Sequence, residues 1–170
     1  MFGQPFQFAI SRQLSTLPTV PMKFDPRRLA AGAYPFAMTV EPRFADMDIV
    51  KHINNLAVAE YYEEARVRFL MEVLGEDFLF RAREFRLLVA RASYDYLHEA
   101  RYPTPLEVRA GIARLGRSSF DLAMALFQDE RCIGLADVVK VHLVAGKPAP
   151  LPAELRAQLE SRALRLAPTG

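Results

Sequence analysis

Two carboxylates, a histidine and two asparagines lie close together in the stretch Phe44-Ala-Asp46-Met-Asp48-Ile-Val-Lys51-His52-Ile-Asn54-Asn55. A carboxylate beside a polarised carbonyl can attack it directly or take a proton from water. The stretch leads into a segment of helical periodicity. A helix N-terminus presents unpaired backbone N–H groups and a partial positive charge, a ready place for a developing oxyanion. Together these parts suit acyl transfer or hydrolysis. The same residues also suit a plainer role, an Asx-rich loop whose aspartates accept backbone hydrogen bonds and whose asparagines cap the helix. Spacing alone leaves both readings open.

The elements that must hold this loop are legible on either side. From Phe36 to Phe44 the residues alternate as in a strand, and residues 45–53 form the polar loop. A helix then starts, with Asn54 or Asn55 able to cap it through a side-chain oxygen. Val58, Tyr62, Ala65, Phe69 and Val73 recur at helical spacing as a buried stripe, Glu64 and Arg68 form an exposed i,i+4 pair, and Gly75 stands at the stop. After a short helical or irregular stretch from Glu76 to Arg83, strands are expected from Phe85 to Leu97, Leu106 to Leu115, Ser119 to Phe127 and Ile133 to Val144. Phe120, Leu122, Met124 and Leu126 form one buried face of the third of these. Gln128 to Arg131 is a hairpin turn without the favoured Asn-Gly pair. In the last strand Val139, Val141 and Leu143 lie on one side and Lys140 and His142 on the other. A final helix is expected from Pro152 to Leu166, packing through Leu155, Leu159 and Ala163. One long helix and several antiparallel strands make an α+β domain over residues 35–166. The proline-punctuated residues 1–34 form an irregular extension, with a helical turn at Asp25 to Leu29, lying on the domain or on a partner subunit.

At 170 residues the chain is one ordinary domain, and a net charge of +2 is too small to suggest nucleic-acid binding. No apolar run approaches a bilayer span and no secretory signal opens the chain, so a cytoplasmic protein without membrane insertion is expected. The single cysteine, Cys132, excludes an intramolecular disulfide and reads as a small buried hydrophobe. Three histidines with no close pair give no metal spacing, and His98 and His142 lie on strands far from the motif in sequence. Ser118 and Ser119 lack a nucleophile elbow. With Arg114 and Arg117 they suit phosphate contacts, a solvated strand end being the alternative.

The motif resembles the signature of 4-hydroxybenzoyl-CoA thioesterase-like proteins of the hot-dog superfamily, commonly F-x-D-x-D-x-x-G-H-x-N-N followed by a helix reading YFEEAR. Here stand Phe44, Asp46, Asp48, His52, Asn54 and Asn55, then Tyr61-Tyr62-Glu63-Glu64-Ala65-Arg66. Gly116-Arg117-Ser118-Ser119-Phe120 and Gly146-Lys-Pro-Ala-Pro-Leu-Pro152 are similar to later family segments, so the likeness spans roughly residues 36 to 160. The resemblance implies a curved antiparallel sheet wrapped around the long central helix, with a C-terminal helix. It implies homodimers joined edge to edge, alone or as dimers of dimers, with active sites at the interface. It implies hydrolysis of an acyl-CoA or acyl-carrier thioester without metal or cofactor. Asp48 would be nucleophile or general base, with His52, Asn54 and Asn55 around it and the N–H groups of Asn54 to Leu56 as oxyanion hole. Tyr62, Arg114, Arg117, Ser118 and Ser119 would contact the acyl-CoA. Asp46 orients the loop.

Two positions depart from the pattern. Lys51 stands where glycine is usual, which strains the loop if φ there is positive. Val58 replaces a common tyrosine, removing a hydroxyl from the site. They keep a non-catalytic acyl-CoA-binding subunit as an alternative. A hot-dog hydratase or dehydratase is a second one, disfavoured because those sites usually space aspartate and histidine one residue wider.

Overall fold

A computed structural model of the protein describes residues 24–76 and 86–168. Residues 1–23, Phe85 and all of the stretch after Glu76 expected to be helical or irregular lie outside the described residues.

The strands are β1 (Phe36–Val40), β2 (Arg86–Tyr96), β3 (Leu106–Leu115), β4 (Ser119–Gln128), β5 (Arg131–Val144) and β6 (Lys147–Pro148). The helices are α1 (Asn55–Leu74) and α2 (Ala153–Ser161). All ladders are antiparallel, in the order β1-β3-β4-β5-β2, with β6 paired to β5. The sheet curls around α1, and the fold is the hot-dog. Among the described residues no helix is long and apolar enough to cross a membrane.

The stripe of α1 is buried as its spacing requires: Val58, Tyr62, Ala65, Phe69 and Val73 all sit in the main core. They pack on the concave face, against Val108, Ala110 and Ile112 of β3 and Phe120, Leu122, Met124 and Leu126 of β4. Asn54 is the cap, its side chain accepting from Leu56 N at 2.8 Å, and Gly75 ends the helix at φ 91°.

The convex face of the sheet is buried too. Ala123, Ala125, Phe127, Cys132 and Leu135 form a second apolar cluster with Ala33 and Tyr34. Residues 24–34 cover it as two 3₁₀ turns, the first capped by Asp25. Arg28 fixes them, donating to the Asp137 carboxylate at 3.1 Å and the Ala136 carbonyl at 3.1 Å. The end of the chain joins in: Ile112 and residues 162–164 exchange hydrogen bonds of 2.8 and 2.9 Å. A side chain at Gly111 would collide with Leu164 and Pro35, each 2.8 Å from its Cβ position, so this close approach needs glycine.

Two sequence expectations, both on element ends, are corrected, and on two strands the structure adds which faces are buried. The first strand stops at Val40, and Phe44–Asp46 is a 3₁₀ turn. That turn closes because Asp46 accepts from the backbone N and the guanidinium of Arg43. The last helix is only Ala153–Ser161, and Ala163 bridges to Ile112 in extended conformation instead of packing as helix. On β4 both faces are buried from Leu122 onward, because the chain ends cover the second one. On β5 the side bearing Lys140 and His142 is the deeply buried one, at 6% and 4% exposure, while Val139, Val141 and Leu143 are half-buried. Strand register sets this parity, since Ala136 and Val138 of the same face lie in the core.

Candidate active site

The motif loop closes on itself. Asp48 N donates to His52 O at 2.9 Å, Lys51 N to Asp48 O at 3.1 Å and Asn54 N to Asp46 O at 2.8 Å. Lys51 sits at φ 67°, so the loop follows the path that favours glycine and holds a lysine in it. Asp46 is almost fully buried and makes the loop's anchor, accepting from Tyr61 Oη at 2.6 Å as well as from Arg43. Burial pushes its carboxyl up, but the hydrogen bonds from Arg43 and Tyr61 outweigh this and hold it down to about 2.

Asp48 is half-buried and does two things at once. Its Oδ1 accepts from Val50 N at 2.9 Å and His52 N at 3.3 Å, the Asx-turn of the plainer reading. Among the described residues its Oδ2 has no hydrogen-bond partner, and the residue lines a cavity of about 210 Å³. Asp48, His52, Ile53, Asn55 and Val58 form one wall and Tyr96, His98, Glu99, Ala100, Leu126 and Ile133 the other. The departure at Val58 thus contributes an apolar surface where a phenol would stand.

The second wall follows from β2. Past Tyr96 the chain crosses the start of β5, with Leu97 N and His98 N both donating to Ile133 O at 3.0 Å. Ile53 N then donates to Ala100 O at 2.9 Å, strapping the motif to this segment. Tyr96 Oη donates to Asn55 O at 3.3 Å, holding the first peptide of α1 against the cavity. His52 Nε2 meets Glu99 Oε2 at 3.0 Å. Arg131 donates to His98 at 2.8 Å; burial, with the Arg131 charge beside it, pushes the His98 imidazolium pKa below its usual value.

Of the three N–H groups placed in the oxyanion hole by resemblance, two are committed: Asn54 N to Asp46 and Leu56 N to the Asn54 side chain. Asn55 N has no hydrogen-bond partner among the described residues and belongs to a cavity residue. Tyr62 is buried one turn behind Val58, and its hydroxyl has no hydrogen-bond partner among the described residues. Arg114, Arg117, Ser118 and Ser119 are not near Asp48 within the chain. They stand at the other end of β4, which at about 3.3 Å per residue is roughly 30 Å long. Arg114 is taken up by Asp121 at 2.8 Å, and Ser118 O accepts from His142 N.

Tyr96, His98, Glu99 and Arg131 are the cavity and rim residues that sequence reasoning missed; His98, far from the motif in sequence, lies in the bend after β2 and not on a strand. Separation along the chain says nothing about separation across a sheet. Only the β2–β5 pairing, Tyr96 opposite Gly134, brings them in.

The hot-dog sheet, with an aspartate-bearing loop feeding its central helix, defines the class of protein. A profile of the thioesterase-like superfamily matches residues 42–159, and the chain belongs to that superfamily. A predicted thioesterase from Bacillus stearothermophilus is 26% identical, with a TM-score of 0.69, over 75% of this chain and 96% of that one. A Thermus thermophilus thioesterase complexed with coenzyme A and zinc is 29% identical, TM-score 0.68, over 76% and 94%. A gentisyl-coenzyme A thioesterase at 17% identity, TM-score 0.65, over 74% and 99%, shares the fold. No curated protein matches in sequence.

Proposed function

We propose that the protein hydrolyses an acyl-CoA or acyl-carrier thioester to carboxylate and thiol. The observation that carries this is the pairing of an uncommitted Asp48 Oδ2 with an uncommitted Asn55 N–H in one cavity. The carboxylate acts on the thioester carbon or on the attacking water, and Asn55 N–H receives the oxyanion at the positive end of α1. Family membership and the coenzyme A bound to the Thermus thermophilus structure support the substrate class.

The working unit is a homodimer formed through β2. Among the described residues this strand of eleven is paired on one side only, and it leaves Leu88 and Val89 exposed at 46% and 43%. Antiparallel pairing of β2 with its copy lays the start of the partner's β2 beside Tyr96. The partner's 116–119 segment, beside its β4–β5 ladder, then stands three strand spacings away, about 14 Å. That is the order of an extended pantetheine arm. Arg117, Ser118 and Ser119 thus serve the other subunit's Asp48, with Arg114 at the outer edge.

The test is thiol release from a panel of acyl-CoAs, wild type against Asp48→Asn, which keeps the Oδ1 acceptor and hence the loop. A loss of about 10²–10⁴ in kcat with unchanged unfolding is expected. No release from any thioester overturns the reading in favour of a binding subunit, and hydration of an enoyl-CoA without thiol release replaces it with a hydratase.

A further inference from the structure

We infer that Glu99 is a positioning residue for His52, making the two a carboxylate–imidazole pair that protonates the leaving thiolate. This rests on the thioesterase reading and adds a residue to it. Two chain segments meet here by backbone rather than by side-chain accident. Ile53 N–Ala100 O, at 2.9 Å, ties the motif loop to the segment after β2, so the residues immediately before each, His52 and Glu99, face one another. The Nε2–Oε2 separation of 3.0 Å is hydrogen-bonding distance, and both residues line the cavity that holds Asp48.

A carboxylate on one ring nitrogen sets what the other can do. With Nε2–H donated to Glu99, the neutral ring exposes Nδ1 as an acceptor, and the charged ring exposes Nδ1–H as an acid. Among the described residues Nδ1 has no hydrogen-bond partner. Asp48 holds the His52 backbone N–H, so the ring is also referenced to the carboxylate that acts on the carbonyl. The neighbouring histidine differs in its partner: His98 meets the Arg131 guanidinium, which favours its neutral form. One cavity thus sets a carboxylate beside one imidazole and a cation beside the other, an arrangement that separates acid from bystander.

The chemical step balances. Water adds to the thioester carbon and its proton passes to Asp48. The C–S bond breaks with its electron pair on sulfur, and His52 Nδ1–H protonates that sulfur. Glu99 stays ionised throughout. The proton on Asp48 returns to His52 through solvent, and the product acid ionises. If Asp48 instead attacks as nucleophile, the departure of sulfur and the donor to it are the same.

The experiment uses the full chain with Glu99→Gln and Glu99→Asp. Both are conservative at a residue whose side chain is 58% exposed. Nitrogen-15 NMR of the His52 ring reports its tautomer, in the setting of the groups around it: Asp48, Lys51, Tyr96, His98, Glu99 and Arg131. Glu99→Gln is expected to mix the His52 tautomers, because a neutral amide can accept from Nε2–H or donate to a bare Nε2. It should lower kcat about tenfold or more with KM little changed, and Glu99→Asp should restore part of both. An unchanged His52 tautomer overturns the inference. So does a changed tautomer with unchanged kcat, which makes the pair a structural contact. Failure of the thioesterase reading is told apart because it appears as absent thiol release in the wild type, whereas failure here leaves wild-type and Asp48→Asn behaviour as expected.

Discussion

Lys51 is held at φ 67°, where a Cβ costs roughly 1 kcal/mol or more and glycine costs nothing in sterics. Lys51→Gly is expected to stabilise the protein by up to about 1 kcal/mol, part of the gain being lost to the freer unfolded chain. The midpoint of urea unfolding measures it, and a fall in that midpoint contradicts the strain. Lys140 is the second costly lysine. It is buried beneath α1 with no hydrogen bond among the described residues, near an Arg66 that Glu63 already pairs. Burial, reinforced by the Arg66 charge, holds its pKa down to about 8 against an ordinary 10.5. The unfolded chain keeps this proton up to pH 10.5 while the folded chain releases it from about 8. The ammonium therefore opposes folding below pH 8, and the opposition fades as pH rises through that window. Lys140→Met should raise stability by about 1–3 kcal/mol at pH 7, with the difference from wild type shrinking toward pH 10.5. Paired unfolding curves at pH 7 and pH 10 check both magnitude and sign.

At the scale of elements, the β4–β5 hairpin governs the site more than its sequence suggests. Asp129 and Glu130 both take positive φ, 50° and 62°, the two-residue geometry that matches strand twist and favours Asn-Gly. Replacing them by Asn-Gly is expected to stabilise the fold by about 1 kcal/mol, read as a rise in the thermal midpoint. This turn sets the parity of β5, and parity puts Lys140 and His142 inward. The hairpin also delivers Arg131 and Ile133 to the cavity end of the sheet. Helix α1 follows local rules throughout: a cap at Asn54, an apolar stripe and a glycine stop.

For the whole molecule, the two edges of the sheet are unlike. β1 is five residues long, and the chain continues along β3 beside it as residues 162–164. β2 is more than twice as long and stays open. Residues 24–34 and the C-terminal segment cover the convex face, leaving the β2 edge as the long unpaired ladder among the described residues. Leu88→Lys with Val89→Lys is expected to convert a dimer into a monomer, seen as a halved mass in light scattering. Thiol release should fall with it, because the partner's 116–119 segment is lost from each site. A wild type that is already monomeric contradicts the dimer.

The fold class, the central helix with its cap and stripe, the four long strands to within a residue or two, and the loop bearing Asp48 were all legible in the sequence. Each is written in contiguous residues, by periodicity, capping and short-range hydrogen bonding. Even the strain at Lys51 was visible as a residue type at odds with its place. What only tertiary structure decided is what faces what. Strand register turned Lys140 inward, chain ends buried the second face of β4, and Asn54 and Leu56 spent the N–H groups that resemblance had assigned to the oxyanion. The β2–β5 ladder carried Tyr96, His98 and Glu99 to the motif from more than forty residues away. Such meetings depend on pairings between distant strands, and no local pattern records them.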